Sequence, residues 1–276
     1  MSEAAKTAFV FSGGGSLGAV HVGMLEALLE AGVGAECVAG TSVGALNAAF
    51  FAARPDAAGV RRQREAWASL RTCDVFPPSP LRFALALTPL SNHLVSPDGL
   101  EAIVRKWVGL ERLEDAALPL AVVAADLVAG APVVLRSGPA VDALLASTAI
   151  PGIFPPRQID GRELVDGGVV ENSPLSAAIA DGATRVIVLP CGNTCDLRGL
   201  QVPALAIVLQ SLNVMLARQL AVDLERYGAA ADVRVVPVAC PLPTRPHDFS
   251  ASTRLMDEAR DHTRRWLDQG GLDGWR

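Results

Sequence analysis

The sequence predicts an α/β protein built on a mainly parallel sheet, and three observations carry that expectation. Short apolar runs without polar alternation, Thr7-Ala8-Phe9-Val10-Phe11 and Cys37-Val38-Ala39, have the pattern of strands buried on both faces. Each run leads into a glycine-bearing turn and then a helical pattern, so strand, turn and helix occur twice near the start of the chain. With 50% apolar and 19% charged residues over 276 positions, there is ample material for a core.

The elements follow in order. After the first strand comes Ser12-Gly13-Gly14-Gly15-Ser16-Leu17-Gly18, and from Leu17 to Ala31 the apolar positions Val20, Met24, Leu25, Leu28 and Leu29 recur at helical spacing until Gly32 stops them. The second strand runs into Gly40-Thr41-Ser42-Val43-Gly44, and the alanine-rich segment from Val43 to Ala53 is helical up to Arg54-Pro55. Further strands are expected at Leu118–Leu127, Ala131–Arg136, Glu163–Val165, Arg185–Leu189 and Val233–Val238. Helices are expected at Pro139–Ser147, Pro174–Asp181, Ala204–Tyr227 and Ser250 to about Asp268. Asp160-Gly161, set between Arg157-Gln158-Ile159 and Arg162-Glu163-Leu164, reads as a hairpin turn. No repeat or long polar linker divides the chain, so one domain over 1–276 is expected. The stretch from Cys73 to Pro97 carries Pro77, Pro78, Pro80, Pro89 and Pro97, a density that resists a continuous helix or central strand. It reads as a cap near a substrate site or as a packed insertion.

Composition excludes several classes. A net charge of -5 gives no global attraction to nucleic acid or to anionic lipid. The basic clusters Arg61-Arg62-Gln63-Arg64 and Arg264-Arg265 read as solvated helix faces. Cys37, Cys73, Cys191, Cys195 and Cys240 form no CxxC pair, so neither a zinc site nor a disulfide framework is expected, and a reducing cytoplasmic setting fits. Met1 to Lys6 pass into the first strand without the basic and long apolar regions of a secretory leader. The uncharged stretch from Gly199 to Ala217 contains Gln201, Pro203, Gln210, Ser211 and Asn213, and reads as a buried helix rather than a membrane span.

The chemistry centres on Ser42. Gly40-Thr41-Ser42-Val43-Gly44 fits the G-x-S-x-G elbow, in which small residues let a strand turn sharply into a helix and hold the hydroxyl clear of the backbone. A serine hydroxyl needs a base. Of His21, His93, His247 and His262, His21 falls on a helix face, and His247 and His262 lie where a Ser-Asp-His order would put a base but in no turn context. The better candidate is Asp166, where a short strand runs into Gly167-Gly168 and the carboxylate stays uncrowded.

Gly13-x-Gly15-x-x-Gly18 also matches the dinucleotide fingerprint. That reading needs an acidic residue at the end of the second strand, and Gly40-Thr41-Ser42 occupies that place. Read as an anion site, Gly13, Gly14 and Gly15 offer backbone N–H groups at a helix start to a tetrahedral oxyanion. Asp126, ending its strand, is a second candidate for orienting the site or a structural cap. Asn172 is a candidate for holding the loop after Asp166.

Together these segments resemble the patatin-like phospholipase family, which joins a glycine-rich oxyanion loop, a G-x-S-x-G elbow and a later Asp-Gly-Gly segment in this order. Gly23-Met24-Leu25, Asn47-Ala48-Ala49, Ser147 to Pro156, Asn172 and Pro174 extend the likeness over roughly residues 7 to 190. The resemblance implies a three-layer α/β/α sandwich and hydrolysis of lipid acyl esters, with Ser42 as nucleophile, Asp166 as base and Gly13, Gly14 and Gly15 as the oxyanion hole. No cofactor or metal and no nucleic acid partner are expected, only a lipid ester substrate and transient contact with a membrane surface. That contact is expected through the proline-rich segment or Ala204–Tyr227. Many members carry a lysine or arginine where this chain has Leu17. The alternatives are a catalytically weak lipid-binding or regulatory module of the same fold, a Ser-His-Asp hydrolase, and a dinucleotide-binding oxidoreductase.

Overall fold

The computed structural model describes residues 5–79, 88, 91–192, 204–238 and 248–275. Its first half contains β1 (Thr7–Phe11), a 3-10 turn (Gly15–Gly18), α1 (Ala19–Glu30), β2 (Cys37–Thr41), α2 (Val43–Ala53), α3 (Ala57–Ser69), α4 (Thr72–Val75), α5 (Asp98–Trp107), β3 (Leu120–Asp126) and β4 (Ala131–Leu135). Then follow α6 (Ala140–Ser147), β5 (Arg157–Ile159), β6 (Arg162–Asp166), α7 (Leu175–Ala180), β7 (Arg185–Leu189), α8 (Ala204–Tyr227), β8 (Asp232–Val235) and α9 (Ser252–Asp268).

Hydrogen bonds link the strands along the path β5-β6-β3-β2-β1-β7-β8, with β4 also on β3. The stretch β3-β2-β1-β7-β8 is parallel throughout, and β4, β5 and β6 add antiparallel pairings. Side-chain alternation divides the core between the two sheet faces. Phe9, Phe11, Val38, Val122, Ile187 and Leu189 pack with α1, α2, α6 and α9. Ala8, Val10, Ala39, Val123, Val186 and Val188 pack with α7 and with Leu220, Leu224 and Tyr227 of α8. The result is a three-layer α/β/α sandwich, as expected.

One feature of the register places the site. β4 lies along Val122–Asp126 of β3, so β2, opposite Leu120–Val123, and β6, opposite Ala124–Asp126, must share the other edge of β3. Thr41 sits opposite Val123 and Asp166 opposite Ala124. The ends of β2 and β6 therefore meet head to head, although 124 residues separate Ser42 from Asp166 in sequence.

Most predicted elements are present with ends shifted by a residue or two. The first helix begins later than Leu17, because Gly15–Gly18 form a 3-10 turn ahead of Ala19. Gly32 ends it at φ 74°, with Gly32 N–H on Leu29 O and Val33 N–H on Leu28 O. Asp160 and Gly161 both have positive φ, the geometry of a two-residue hairpin turn. The helix α5 did not stand out in the sequence, and α3 was anticipated only as a helix face carrying Arg61 to Arg64, without its bounds.

Two expectations are corrected. Arg61 and Arg62 are solvated, but Arg64 forks onto both carboxylate oxygens of Glu26 at 2.7 and 2.8 Å and reaches Asp257 at 2.8 Å, tying α3 to α1 and α9. Arg264 and Arg265 are exposed, as expected, and Arg264 pairs with Glu30 at the surface. The helix α8 is not buried: Ile207, Val214 and Met215 are 55%, 50% and 65% exposed, because only part of its circumference covers the sheet. No helix among the described residues is long and apolar enough to cross a membrane. The proline-rich segment lies partly outside the described residues. Around it, Phe76 stacks on Phe154, and Val95 N–H donates to Ile153 O at 2.8 Å, so its two ends are packed.

Candidate active site

Ser42 occupies the turn between β2 and α2 at φ 56°, ψ -130°, a left-handed conformation that side chains other than glycine rarely adopt. Its N–H donates to Ser147 Oγ at 2.9 Å, and the Ser147 hydroxyl donates to Val123 O at 2.6 Å, so α6 and β3 hold the turn. The flanking glycines are required by close approach. A Cβ on Gly40 would lie 2.4 Å from Gly44 O, and one on Gly44 would lie 2.2 Å from Phe11 O.

Asp166 ends β6, and its N–H donates to Ala149 O at 2.9 Å. Ser42 Oγ donates to Asp166 Oδ2 at 2.5 Å, while Oδ1 accepts the Gly168 N–H at 2.8 Å. Gly167 is needed here because a Cβ would come within 2.3 Å of Val123 O. Burial pushes the Asp166 carboxyl up from 3.8 to about 6, against the opposing pull of its bonds from Ser42 and Gly168. The group is thus poised near neutrality, with its acceptor oxygen on the serine.

The glycine loop lies across the pocket from this pair. Gly13 N–H donates to Asn172 O at 3.1 Å. Gly14 and Gly15 N–H have no acceptor among the described residues. Of the three amides expected to face an oxyanion, Gly13 N–H is thus already engaged by a backbone carbonyl. Gly14 passes tightly over Cys191, where a Cβ would lie 2.3 Å from Cys191 Cβ. The cavity between loop and dyad measures about 510 Å³ and is walled by Leu17, Ile150, Val169, Leu212, Leu216 and Leu220 among others. No lysine, arginine or histidine is among its described lining residues.

The remaining sequence candidates separate clearly. Asn172 joins the site: besides accepting from Gly13, its N–H donates to Gln219 Oε1 at 2.9 Å, fastening α8 to the loop after Asp166. Asp126 does not join it. Its carboxylate caps the following turn through Val128 and Ala129 N–H, both at 2.9 Å, and these bonds hold it below its ordinary value. His21 is wholly buried and engaged with Asn47 and Leu189 O, which leaves it away from Ser42. His93 faces Asn92, and His262 lies on α9. His247, Cys195 and Cys240 fall outside the described residues. Sequence reasoning missed the role of Ser147; its place in the run before Asp166 was the only signal.

A buried serine–carboxylate pair at the meeting of two strand ends, facing a glycine loop in an α/β/α frame, defines the class of site. The patatin-like phospholipase family model matches residues 9–179, and the chain belongs to that family. Patatin-like phospholipase domain-containing protein 6 of Homo sapiens is 32% identical over 188 residues, covering 67% of this chain and 13% of that protein. An uncharacterized NTE family protein of Mycobacterium tuberculosis is 33% identical over 188 residues, covering 68% of this chain and 49% of the relative. The chain thus corresponds to about half or less of these relatives. Among solved structures, VipD from Legionella pneumophila aligns with 97% of this chain and 67% of its own, at TM-score 0.48 and 14% identity. Human GIVD cytosolic phospholipase A2 in complex with methyl gamma-linolenyl fluorophosphonate aligns with 97% of this chain and 58% of its own, at TM-score 0.49 and 13% identity.

Proposed function

We propose that this protein is a serine acyl hydrolase that cleaves lipid acyl esters, phospholipid or glyceride, through a Ser42–Asp166 dyad. The observation that carries the reading is the 2.5 Å hydrogen bond from Ser42 Oγ to a carboxylate that burial has raised to about 6. A base with that affinity accepts a serine proton in the transition state better than an ordinary carboxylate does. Family membership supports the same chemistry.

In the first step Asp166 Oδ2 takes the hydroxyl proton as Ser42 Oγ bonds the ester carbonyl carbon. The Gly14 and Gly15 amides receive the oxyanion, a stabilisation typically worth about 3 kcal/mol per donor. Collapse breaks the bond to the alcohol, which leaves with the proton from Asp166. Water then attacks the acyl-enzyme while giving a proton to Asp166, the acid departs, and Ser42 regains its hydrogen. The apolar cavity walls take the acyl chain.

Contact with a lipid surface would run through α8, whose Leu212, Leu216 and Leu220 line the cavity while Ile207, Val214 and Met215 face solvent. The net charge of -5 makes that contact apolar rather than electrostatic. A fluorophosphonate probe tests the nucleophile: wild type should label, Ser42→Ala and Asp166→Asn should not, and equal labelling of Ser42→Ala would sink the assignment. Loss of activity in His247→Ala but not in Asp166→Asn would replace the dyad by a triad. Ester turnover that disappears in Ser42→Ala would exclude a non-catalytic binding module.

A further inference from the structure

We propose that Asn47 is a positioning residue for the reaction, fixing the glycine loop against the helix that carries Ser42. This rests on the serine hydrolase reading above. Asn47 lies on α2, five residues after Ser42, and is 2% exposed. All four hydrogen-bonding positions of its carboxamide are filled. Nδ2 donates to Gly18 O and His21 Nδ1, each at 2.9 Å. Oδ1 accepts from Gln63 Nε2 at 2.8 Å and Trp67 Nε1 at 2.9 Å.

The chemistry of the partners fixes every proton in this cluster. An indole N–H only donates and a carbonyl only accepts, so the carboxamide has one orientation. His21 Nδ1 must then be an acceptor. Its proton is on Nε2, which donates to Leu189 O at 2.9 Å. Leu189 O also accepts the Ser12 N–H at 3.1 Å. Cys191 Sγ completes the contact, 3.2 Å from both His21 Nε2 and Ser12 O.

The loop Gly13 to Leu17 is therefore bracketed. At one end Ser12 shares Leu189 O with His21; at the other Gly18 O is held by Asn47. A single side chain on the nucleophile's helix meets both His21 and Gly18, so it sets the separation of the oxyanion donors from Ser42. A wrong separation lowers transition-state stabilisation while leaving the apolar substrate walls in place.

Asn47→Asp is the informative variant, because a carboxylate still accepts from Trp67 and Gln63 but cannot donate to both Gly18 O and His21 Nδ1. The expected result is a kcat about 100-fold lower, with KM within about twofold of wild type. Nitrogen-15 NMR of the wild-type histidines should show His21 neutral with its proton on Nε2, and Asn47→Asp should place a proton on Nδ1. A folded Asn47→Asp with wild-type kcat would overturn the proposal. So would a wild-type His21 protonated on Nδ1, a reading that needs no turnover. Equal ester turnover by wild type and Ser42→Ala would instead refute the hydrolase reading, with the tautomer still reporting whether the bracket exists.

Discussion

Replacing Asp166 with asparagine should destroy activity and, at neutral pH, stabilise the fold. The carboxyl binds its proton at about 6 when folded, against an ordinary value of 3.8. Its contribution to stability is therefore complete below about pH 3.8 and is lost as pH rises through about 6. A shift of about two pKa units corresponds to about 3 kcal/mol of penalty on the ionised form at pH 8. Asparagine has nearly the same shape and no charge. Its oxygen can keep the Gly168 N–H, while its amide must donate to Ser42 Oγ, which leaves the serine hydrogen to find another acceptor at a cost of about 1 kcal/mol. The net expectation is a gain of roughly 2 kcal/mol at pH 8. Urea unfolding of wild type and variant at half-unit steps from pH 4 to pH 8 measures this directly. The difference between them should grow by up to about 1.4 kcal/mol per pH unit between pH 4 and 6, then level off. A difference of either sign that stays constant across that range would refute the claim that Asp166 carries a buried charge at neutral pH.

Four other outcomes are expected. In wild type, the proposed role of ionised Asp166 as base requires kcat/KM for a soluble ester to rise with pH through about 6 and plateau above it; a profile flat from pH 5 to 8 would contradict this. Gly44→Ala should not yield folded protein, since its Cβ would sit 2.2 Å from Phe11 O, whereas Gly34→Ala, with nothing within 4 Å, should change unfolding free energy by less than about 0.5 kcal/mol. Arg64→Leu should cost roughly 2 kcal/mol in urea unfolding, because it leaves the half-buried Glu26 carboxylate without its fork. Met215→Asp together with Ile207→Asp should reduce co-sedimentation with zwitterionic vesicles and lower turnover of vesicle-borne ester more than that of a soluble ester; equal losses on both would remove α8 from the lipid contact.

The parts of this molecule that local chemistry dictates were readable in the sequence. Phe9, Val10 and Phe11, apolar without alternation, can only be satisfied by burial on both faces, and β1 is so buried. Asp160-Gly161 announced its hairpin because few residues tolerate positive φ in succession. The helix α5 and the bounds of α3 were not readable in this way: their polar faces hide narrow apolar stripes, Val60 and Trp67 in α3, Leu100 and Val104 in α5. The solvated face assigned to Arg64 was wrong because a guanidinium seeks carboxylates that only tertiary packing supplies, here Glu26 and Asp257 from two other helices. The exposed side of α8 was hidden for the opposite reason. Apolar composition marks what could be buried, and not which side has a neighbour.

For the site, the sequence by itself determined the cast: an elbow that only small residues can form around Ser42, an aspartate freed by Gly167-Gly168, and a loop of glycines at a helix start. Tertiary structure alone decided how they are arranged. The shared edge of β3 brought Ser42 to within 2.5 Å of Asp166, and burial there raised the carboxyl to about 6. The same folding committed Gly13 N–H to Asn172 and left Gly14 and Gly15 toward the cavity. Motif spacing encodes backbone conformation, which is local; distance, desolvation and the allocation of hydrogen bonds depend on residues far apart in the chain, and they exist only once those residues are packed together.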